Sequence, residues 1–200
     1  MNRFENWFCA SGIWRWVTQR KLLPWIIGRT DLGEHLLEMG AGPGAATEEL
    51  RRRAGRVTSL EYDHKFAAGL AARMTVRNGA VLRGDAARLP FADQTFTSAI
   101  AVLVLHHLCS SELQGQAFAE IHRVLRPGGV FLAFEIQDSW MHRAGHIKST
   151  FVPVAPTTLA ARMSAAGFPD TRIGLRGGGF RWKAVRDGSL RTLDPSAVRE

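Results

Sequence analysis

The stretch His35-Leu-Leu-Glu-Met-Gly-Ala-Gly-Pro-Gly-Ala-Ala-Thr-Glu-Glu-Leu50 reads as a buried strand that runs through a glycine turn into a helix. Glycines at 40, 42 and 44 remove side chains where a strand feeds a helix, so a ligand can approach the backbone at the carboxyl edge of a sheet. The spacing also satisfies the G-x-G-x-x-[GA] dinucleotide fingerprint, with an acidic residue, Glu61, at the end of the next strand. Charge separates the two readings. Glu38 stands just before the glycines, where its carboxylate would repel a pyrophosphate and favour a cationic ligand. Pro43 also removes one N–H from a turn that would otherwise cradle phosphate.

Outward from this turn, short apolar runs alternate with helical patterns, which signals βαβ units and a mainly parallel sheet. Strands are predicted at 35–39, 57–61, 80–83, 98–104 and 130–136, and helices at 44–54, 64–76 and 111–125. Arg126-Pro-Gly-Gly129 ends the last of these helices, because proline cannot continue it and glycine accepts positive φ. A helix over 157–166 and a hairpin of 171–176 with 180–185 follow, flanking Gly177-Gly-Gly179. The expected fold is therefore α/β: a Rossmann-like doubly wound sheet, mostly parallel with a C-terminal antiparallel hairpin strand, and helices on both faces.

Two hundred residues with 46% hydrophobic content suffice for one well-buried core. We expect an N-terminal helical cap over 1–30, a main domain over 31–186 and a mobile charged tail over 187–200. No run of about 18 apolar residues and no signal-peptide pattern occurs, so a cytoplasmic location is expected. Cys9 and Cys109 are too few for a disulfide framework and lack zinc-site pairing. A formal charge of +8 favours anionic partners by long-range attraction and says nothing of the chemistry.

A ligand with adenosine at one end and a cationic amino acid at the other suits both acidic positions, and here the chain resembles the class I S-adenosylmethionine-dependent methyltransferases. Glu38-Met-Gly40-Ala-Gly42-Pro-Gly44 matches their [DE]-x-G-x-G-x-G pattern. The strand "SAIAVLVLHHL" and the segment "EIHRVLRPGGVFLAFE" are similar to the small-molecule branch that includes ubiquinone and menaquinone C-methyltransferases. The resemblance implies S-adenosyl-L-methionine as cofactor and S-adenosyl-L-homocysteine as product. It implies that Glu38 and the backbone of Gly40, Ala41, Gly42 and Gly44 hold the methionine moiety. Glu61 would accept both ribose hydroxyls, Tyr62 would lie against the adenine, Asp85 and the Ala86 N–H would take the adenine edge, and Leu103 would line the site.

The first half also resembles rRNA adenine dimethyltransferases and phospholipid N-methyltransferases. Those RNA enzymes place Asn-Leu-Pro-Tyr after the fourth strand, where this chain has Leu103-Val-Leu-His-His107, so a small-molecule or lipid acceptor is favoured over nucleic acid. An RNA-directed enzyme and a non-catalytic cofactor-binding module stay as alternatives. An NAD-dependent oxidoreductase is disfavoured by Glu38, and the only tyrosine, Tyr62, is followed four residues on by Phe66, so the Tyr-x-x-x-Lys pair of short-chain dehydrogenases cannot form. Phe96-Thr97 replaces the Phe-Asp that commonly opens the fourth strand of the family, and the loss is read as structural.

Where the acceptor must lose a proton, His106 and His107 at the ligand edge are the candidate catalytic residues, since imidazole titrates near neutral pH. His142 and His146 have i,i+4 spacing but no evident third ligand, and no metal is expected. The N-terminal segment interleaves Trp7, Trp14, Trp16 and Trp25 with Arg15, Arg20 and Lys21. It reads as a cap over the cofactor site, with peripheral membrane contact through 1–28 as the alternative.

Overall fold

The computed structural model describes residues 3–74, 79–147 and 149–188, with side chains from residue 7 onward. Seven strands, β1 (His35–Met39), β2 (Arg56–Glu61), β3 (Gly79–Arg83), β4 (Phe96–Val102), β5 (Leu125–Ile136), β6 (Asp170–Arg176) and β7 (Gly179–Val185), form one sheet in the order β3-β2-β1-β4-β5-β7-β6. The five strands from β3 to β5 are parallel, and β7 runs antiparallel to both β5 and β6. The strand order reverses between β1 and β4, which places the crevice of such a sheet at the carboxyl ends of those two strands.

Side chains of period two feed two apolar layers. Leu36, Ile100 and Leu132 pack on one face against Leu23, Ile26 and Ile27 of α3 (Leu23–Ile27) and Leu50 of α4 (Thr47–Arg53). Leu37, Met39, Phe131 and Trp182 pack on the other against Phe118 and Ile121 of α6 (Ser111–Val124) and Leu159 and Met163 of α8 (Pro156–Ala165). The helix after β2 is α5 (His64–Arg73), capped by the Asp63 carboxylate, which accepts from the backbone N–H groups of Lys65 and Phe66. It is shorter than the expected 64–76; positions 75 and 76 lie outside the described residues, as do 189–200 of the expected tail.

Three boundaries differ from the expectation, each for a local reason. The helix expected from 44 starts at Thr47, because Gly44 holds φ +85° and closes the turn first. The strand expected over 98–104 spans Phe96–Val102 and stops where Leu103 takes φ +57°, a conformation rare for a residue with a β-carbon. The strand expected from 130 begins at Leu125, and the 126–129 turn is looped out within it: Phe96 pairs with Leu125 and Ser98 with Val130. Thr97 does structural work at the foot of the sheet. Its hydroxyl accepts from the His35 N–H at 3.0 Å and lies 3.0 Å from the carbonyls of Leu32 and His35.

The N-terminal segment holds α1 (Arg3–Ala10), α2 (Gly12–Val17), a π-helical turn (Thr18–Leu22) and α3. Its later part lies in the core, and Trp14 packs partly against the same cluster. Leu23, Ile26 and Ile27 are buried, whereas Trp7, Ile13 and Trp16 are exposed. The Gly177 and Gly178 turn, both with positive φ, joins β6 to β7 as a two-residue hairpin. Arg176 and Arg181 lie over the Trp25 ring at 5.8 and 5.1 Å from its centroid, so the hairpin and the N-terminal segment touch. Among the described residues no helix is long and apolar enough to cross a membrane.

Candidate active site

The glycine turn after β1 is held from both sides. The N–H groups of Gly40 and Ala41 donate to the Leu60 carbonyl at 2.8 and 3.2 Å, and Gly44 N–H donates back to Ala41 at 2.9 Å. The Gln19 side-chain amide donates to the Ala45 carbonyl at 3.1 Å, tying the N-terminal segment to the turn. The three glycines serve different ends. A β-carbon at Gly40 would meet Val104 at 2.4 Å and one at Gly44 would meet Leu70 at 2.6 Å, so these two permit close packing. A β-carbon at Gly42 would meet nothing within 4 Å: open space lies over the middle of the turn.

Glu61, at the end of β2, faces this turn. One carboxylate oxygen accepts from the Gly42 N–H at 2.7 Å and the other from the Asp63 N–H at 2.8 Å, with the residue 8% exposed. Each oxygen keeps lone-pair capacity for a further donor. Tyr62, beside it, is exposed. Asp85 is exposed in the loop after β3 and accepts from the Ala87 N–H at 2.9 Å, with Ala86 half-buried next to it. Arg123 of α6 fixes that loop by donating to the carbonyls of Leu89 and Phe91 and to the Asp93 carboxylate.

Glu38 lies deeper. It is 3% exposed, and its two oxygens accept from the hydroxyls of Thr47 at 3.1 Å and Ser59 at 2.6 Å. Burial pushes its carboxyl up to about 7, the two hydroxyls pulling the other way and the nearby Glu61 adding to the rise. Between about 4.5, the ordinary value, and about 7, the folded chain keeps a proton that the unfolded chain has lost. Stability therefore falls as pH rises through that window, by up to roughly 3 kcal/mol. Glu38→Gln removes this cost. Its urea midpoint is expected above that of the wild type at about pH 8, with the gap narrowing toward pH 5; equal midpoints at pH 8 would contradict the argument.

At the carboxyl end of β4 the chain bends into a 3-10 turn, Leu105–His107, around a fully buried acid. Glu135 of β5 is 0% exposed, and one of its oxygens accepts from the N–H groups of Val104 and Leu105 at 2.9 and 2.7 Å. The other lies 2.5 Å from Nδ1 of His106, itself buried. This acid holds the backbone just after Leu103 and orients His106. His107 Nδ1 lies 3.2 Å from the Thr150 carbonyl.

The structure does not join His142 to His146 side by side as their spacing suggested. His142 Nδ1 turns to the Gln137 carbonyl at 2.7 Å and the Ser139 hydroxyl at 2.9 Å, and that hydroxyl caps α7 (Trp140–Gly145) by accepting from the His142 backbone N–H at 3.2 Å. His146 instead meets the strand-four pair, its ring centroid 5.1 Å from that of His106 and 5.6 Å from that of His107. In the sequence Glu135, His142 and His146 all follow one another at the end of the fifth strand and its loop, near the ligand edge, with no signal for which of them meet His106 and His107. Those meetings depend on chain segments about 30 to 40 positions apart.

A family model described as "Methyltransferase domain" matches residues 37–133. The demethylmenaquinone methyltransferase of Corynebacterium kroppenstedtii is 31% identical over 117 residues, 58% of this chain and 45% of that protein. The chain spans about half or less of the length of the curated relatives it matches. Among solved structures, the methyltransferase in complex with the Haloferax volcanii Trm112 methyltransferase activator superposes with a TM-score of 0.74 at 17% identity, covering 94% of this chain and 99% of that one. Haemonchus contortus phosphoethanolamine N-methyltransferase 2, solved with S-adenosyl-L-methionine, gives 0.72 at 12% identity, covering 94% and 60%. These structural likenesses establish the fold.

Proposed function

We infer that this chain, which matches a methyltransferase-domain family model over residues 37–133, is an enzyme that moves the methyl group of S-adenosylmethionine onto a small-molecule or lipid acceptor. One observation carries the cofactor reading. The open space over Gly42 adjoins a carboxylate, Glu61, that is aimed at the turn by two backbone N–H groups. A diphosphate over that turn would face two acidic side chains, Glu38 and Glu61; a sulfonium amino acid and a ribose diol suit them.

In this reading Glu61 accepts the ribose hydroxyls, and Tyr62, Asp85 and Ala86 take the adenine. The backbone of Gly40, Ala41, Gly42 and Gly44, with Glu38 behind it, holds the methionine end, and Leu103 lines the site. Bound there, the cofactor supplies a methyl group already activated on sulfur. The protein then has to align the acceptor and exclude water, which is worth on the order of 7–11 kcal/mol where alignment is good. The N-terminal segment, tied to the turn through Gln19, serves as the cap over this site. Exposed Trp7, Ile13 and Trp16 beside Arg15 and Arg20 suit an acceptor delivered from a lipid surface. His106, its Nδ1 facing Glu135, offers Nε2 at the acceptor end, where it can take a proton or a cation.

Calorimetry against S-adenosylmethionine, S-adenosylhomocysteine and NAD tests the cofactor. We expect binding of the first two and none of NAD. Binding of NAD without affinity for either sulfur ligand would end the reading. Affinity for S-adenosylmethionine is also expected to rise with pH through about 7, because its cationic methionine end favours ionised Glu38. Glu38→Gln should flatten that dependence; a slope that survives the substitution would assign it to another group.

A further inference from the structure

We propose that His106, His107 and His146 bind a divalent transition metal at the acceptor end of the sheet. One ring nitrogen from each can be chosen so that all three lie within 4.8 Å of one another. What distinguishes the trio from chance proximity is the partner held by Nδ1 of each ring. Nδ1 of His106 faces the Glu135 carboxylate at 2.5 Å, Nδ1 of His107 the Thr150 carbonyl at 3.2 Å, and Nδ1 of His146 the His142 carbonyl at 2.6 Å. Every one of these partners is a pure acceptor. Each therefore selects the tautomer with its proton on Nδ1 and leaves Nε2 as the basic nitrogen, the arrangement that metal-binding histidines use to fix ring orientation and raise ligand basicity.

The surroundings are built to hold the rings. Glu135 is buried and pinned by two backbone N–H groups, so the carboxylate behind His106 cannot swing away. Val152 N–H donates to the His106 carbonyl at 2.8 Å, and the buried Gln114 amide bridges the carbonyls of Leu105 and Val152, locking the 3-10 turn to the 150–152 segment. Phe151 stacks on His146 at 4.5 Å and meets the His106 ring at 5.4 Å, giving the cluster an apolar wall. Tetrahedral zinc with bonds of about 2.0–2.1 Å sets its nitrogens roughly 3.4 Å apart. The widest separation must thus close by at most about 1.4 Å, and His146, at the end of the six-residue α7, is the ligand placed to move.

Three neutral imidazoles select zinc, cobalt, nickel, copper or iron over magnesium and calcium. Three ligands leave a fourth position, and the ion stands where the acceptor must enter. There it binds a hydroxyl or phenol oxygen and lowers its pKa toward neutrality. The acceptor O–H proton leaves to solvent. An oxygen lone pair then forms the bond to the methyl carbon, while the carbon–sulfur electron pair returns to sulfur, converting sulfonium to thioether. This use of the ion rests on the methyl-transfer reading; the ion site does not.

The test uses the full chain without an affinity tag, stripped by chelator, titrated with cobalt(II) in the visible range and with zinc(II) by calorimetry. One equivalent is expected, with the d–d bands of a nitrogen-ligated, low-coordinate ion. His107→Ala and His146→Ala should each weaken binding by more than about a hundredfold, and Glu135→Gln by roughly 10- to 100-fold. His64→Ala, on the exposed start of α5, should change nothing. Glu61→Ala should keep the metal while losing S-adenosylmethionine, so the two readings fail separately. Absence of stoichiometric cobalt binding by the wild type overturns the proposal, as does wild-type affinity in the folded His107 and His146 variants. Should those variants not fold, X-ray absorption of the wild-type cobalt complex decides: three imidazole ligands support the site, and fewer overturn it.

Discussion

Replacing Glu61 with alanine is expected to lower affinity for S-adenosylmethionine by more than about a hundredfold. Each hydrogen bond to a charged acceptor contributes roughly 1.5–3 kcal/mol, and two ribose hydroxyls would lose theirs. The same carboxylate also fixes the turn, through Gly42 at 2.7 Å and Asp63 at 2.8 Å, so its removal loosens the backbone proposed to receive the methionine end. Glu61→Gln separates the two roles. A glutamine oxygen can still accept from one N–H, so a smaller loss, on the order of tenfold, is expected for it. Calorimetry on both variants checks this, and affinity retained within a few fold in Glu61→Ala would mean that the ribose lies elsewhere.

The largest effect on stability is expected from Glu135→Ala, on the order of 3–5 kcal/mol. Glu135 is completely buried, and truncation would leave the N–H groups of Val104 and Leu105 and the His106 ring without their acceptor in a site closed to water. Leu103, held at φ +57° by the turn that follows it, would lose the contacts that over-determine that strained conformation. Chemical denaturation should show the midpoint falling without a change in the slope. Glu135→Gln keeps an oxygen for the two backbone donors, so it should recover most of the stability. A loss below about 1 kcal/mol for the alanine variant would contradict the burial argument.

The glycine turn carries opposing demands. A β-carbon at Gly40 or Gly44 would run into Val104 or Leu70, whereas Gly42 is surrounded by space. Packing thus accounts for two of the glycines and leaves the third facing open space, although the spacing alone treats all three alike. Glu38 shows a related tension. Buried beneath the turn, it is costly to the empty protein above about pH 5 and becomes favourable when a cation lies above it.

Local pattern was enough for the strands and helices. Period-two runs at 35–39 and 57–61 and the amphipathic stripe of 111–125 are consequences of which residues neighbour one another along the chain, and they recur as β1, β2 and α6 within a residue or two. The acidic ends of β1 and β2, and the glycines between, could likewise be placed from spacing, because a strand followed by a tight turn leaves few ways to orient them. Where that legibility failed, the deciding contact was distant in sequence. The fourth strand ends two residues early because Glu135, about thirty positions on, captures the N–H groups of Val104 and Leu105 just beyond it. His142 and His146, neighbours by helical spacing, are separated by capping of a short helix, and His146 is handed instead to His106 and His107 across the crevice. Composition and periodicity determined the sheet, the order of elements along the chain and the residues at the carboxyl ends of its strands. Only the folded chain decided which side chains meet there, since buried hydrogen bonds between remote segments, and not local propensity, set the turns that carry them.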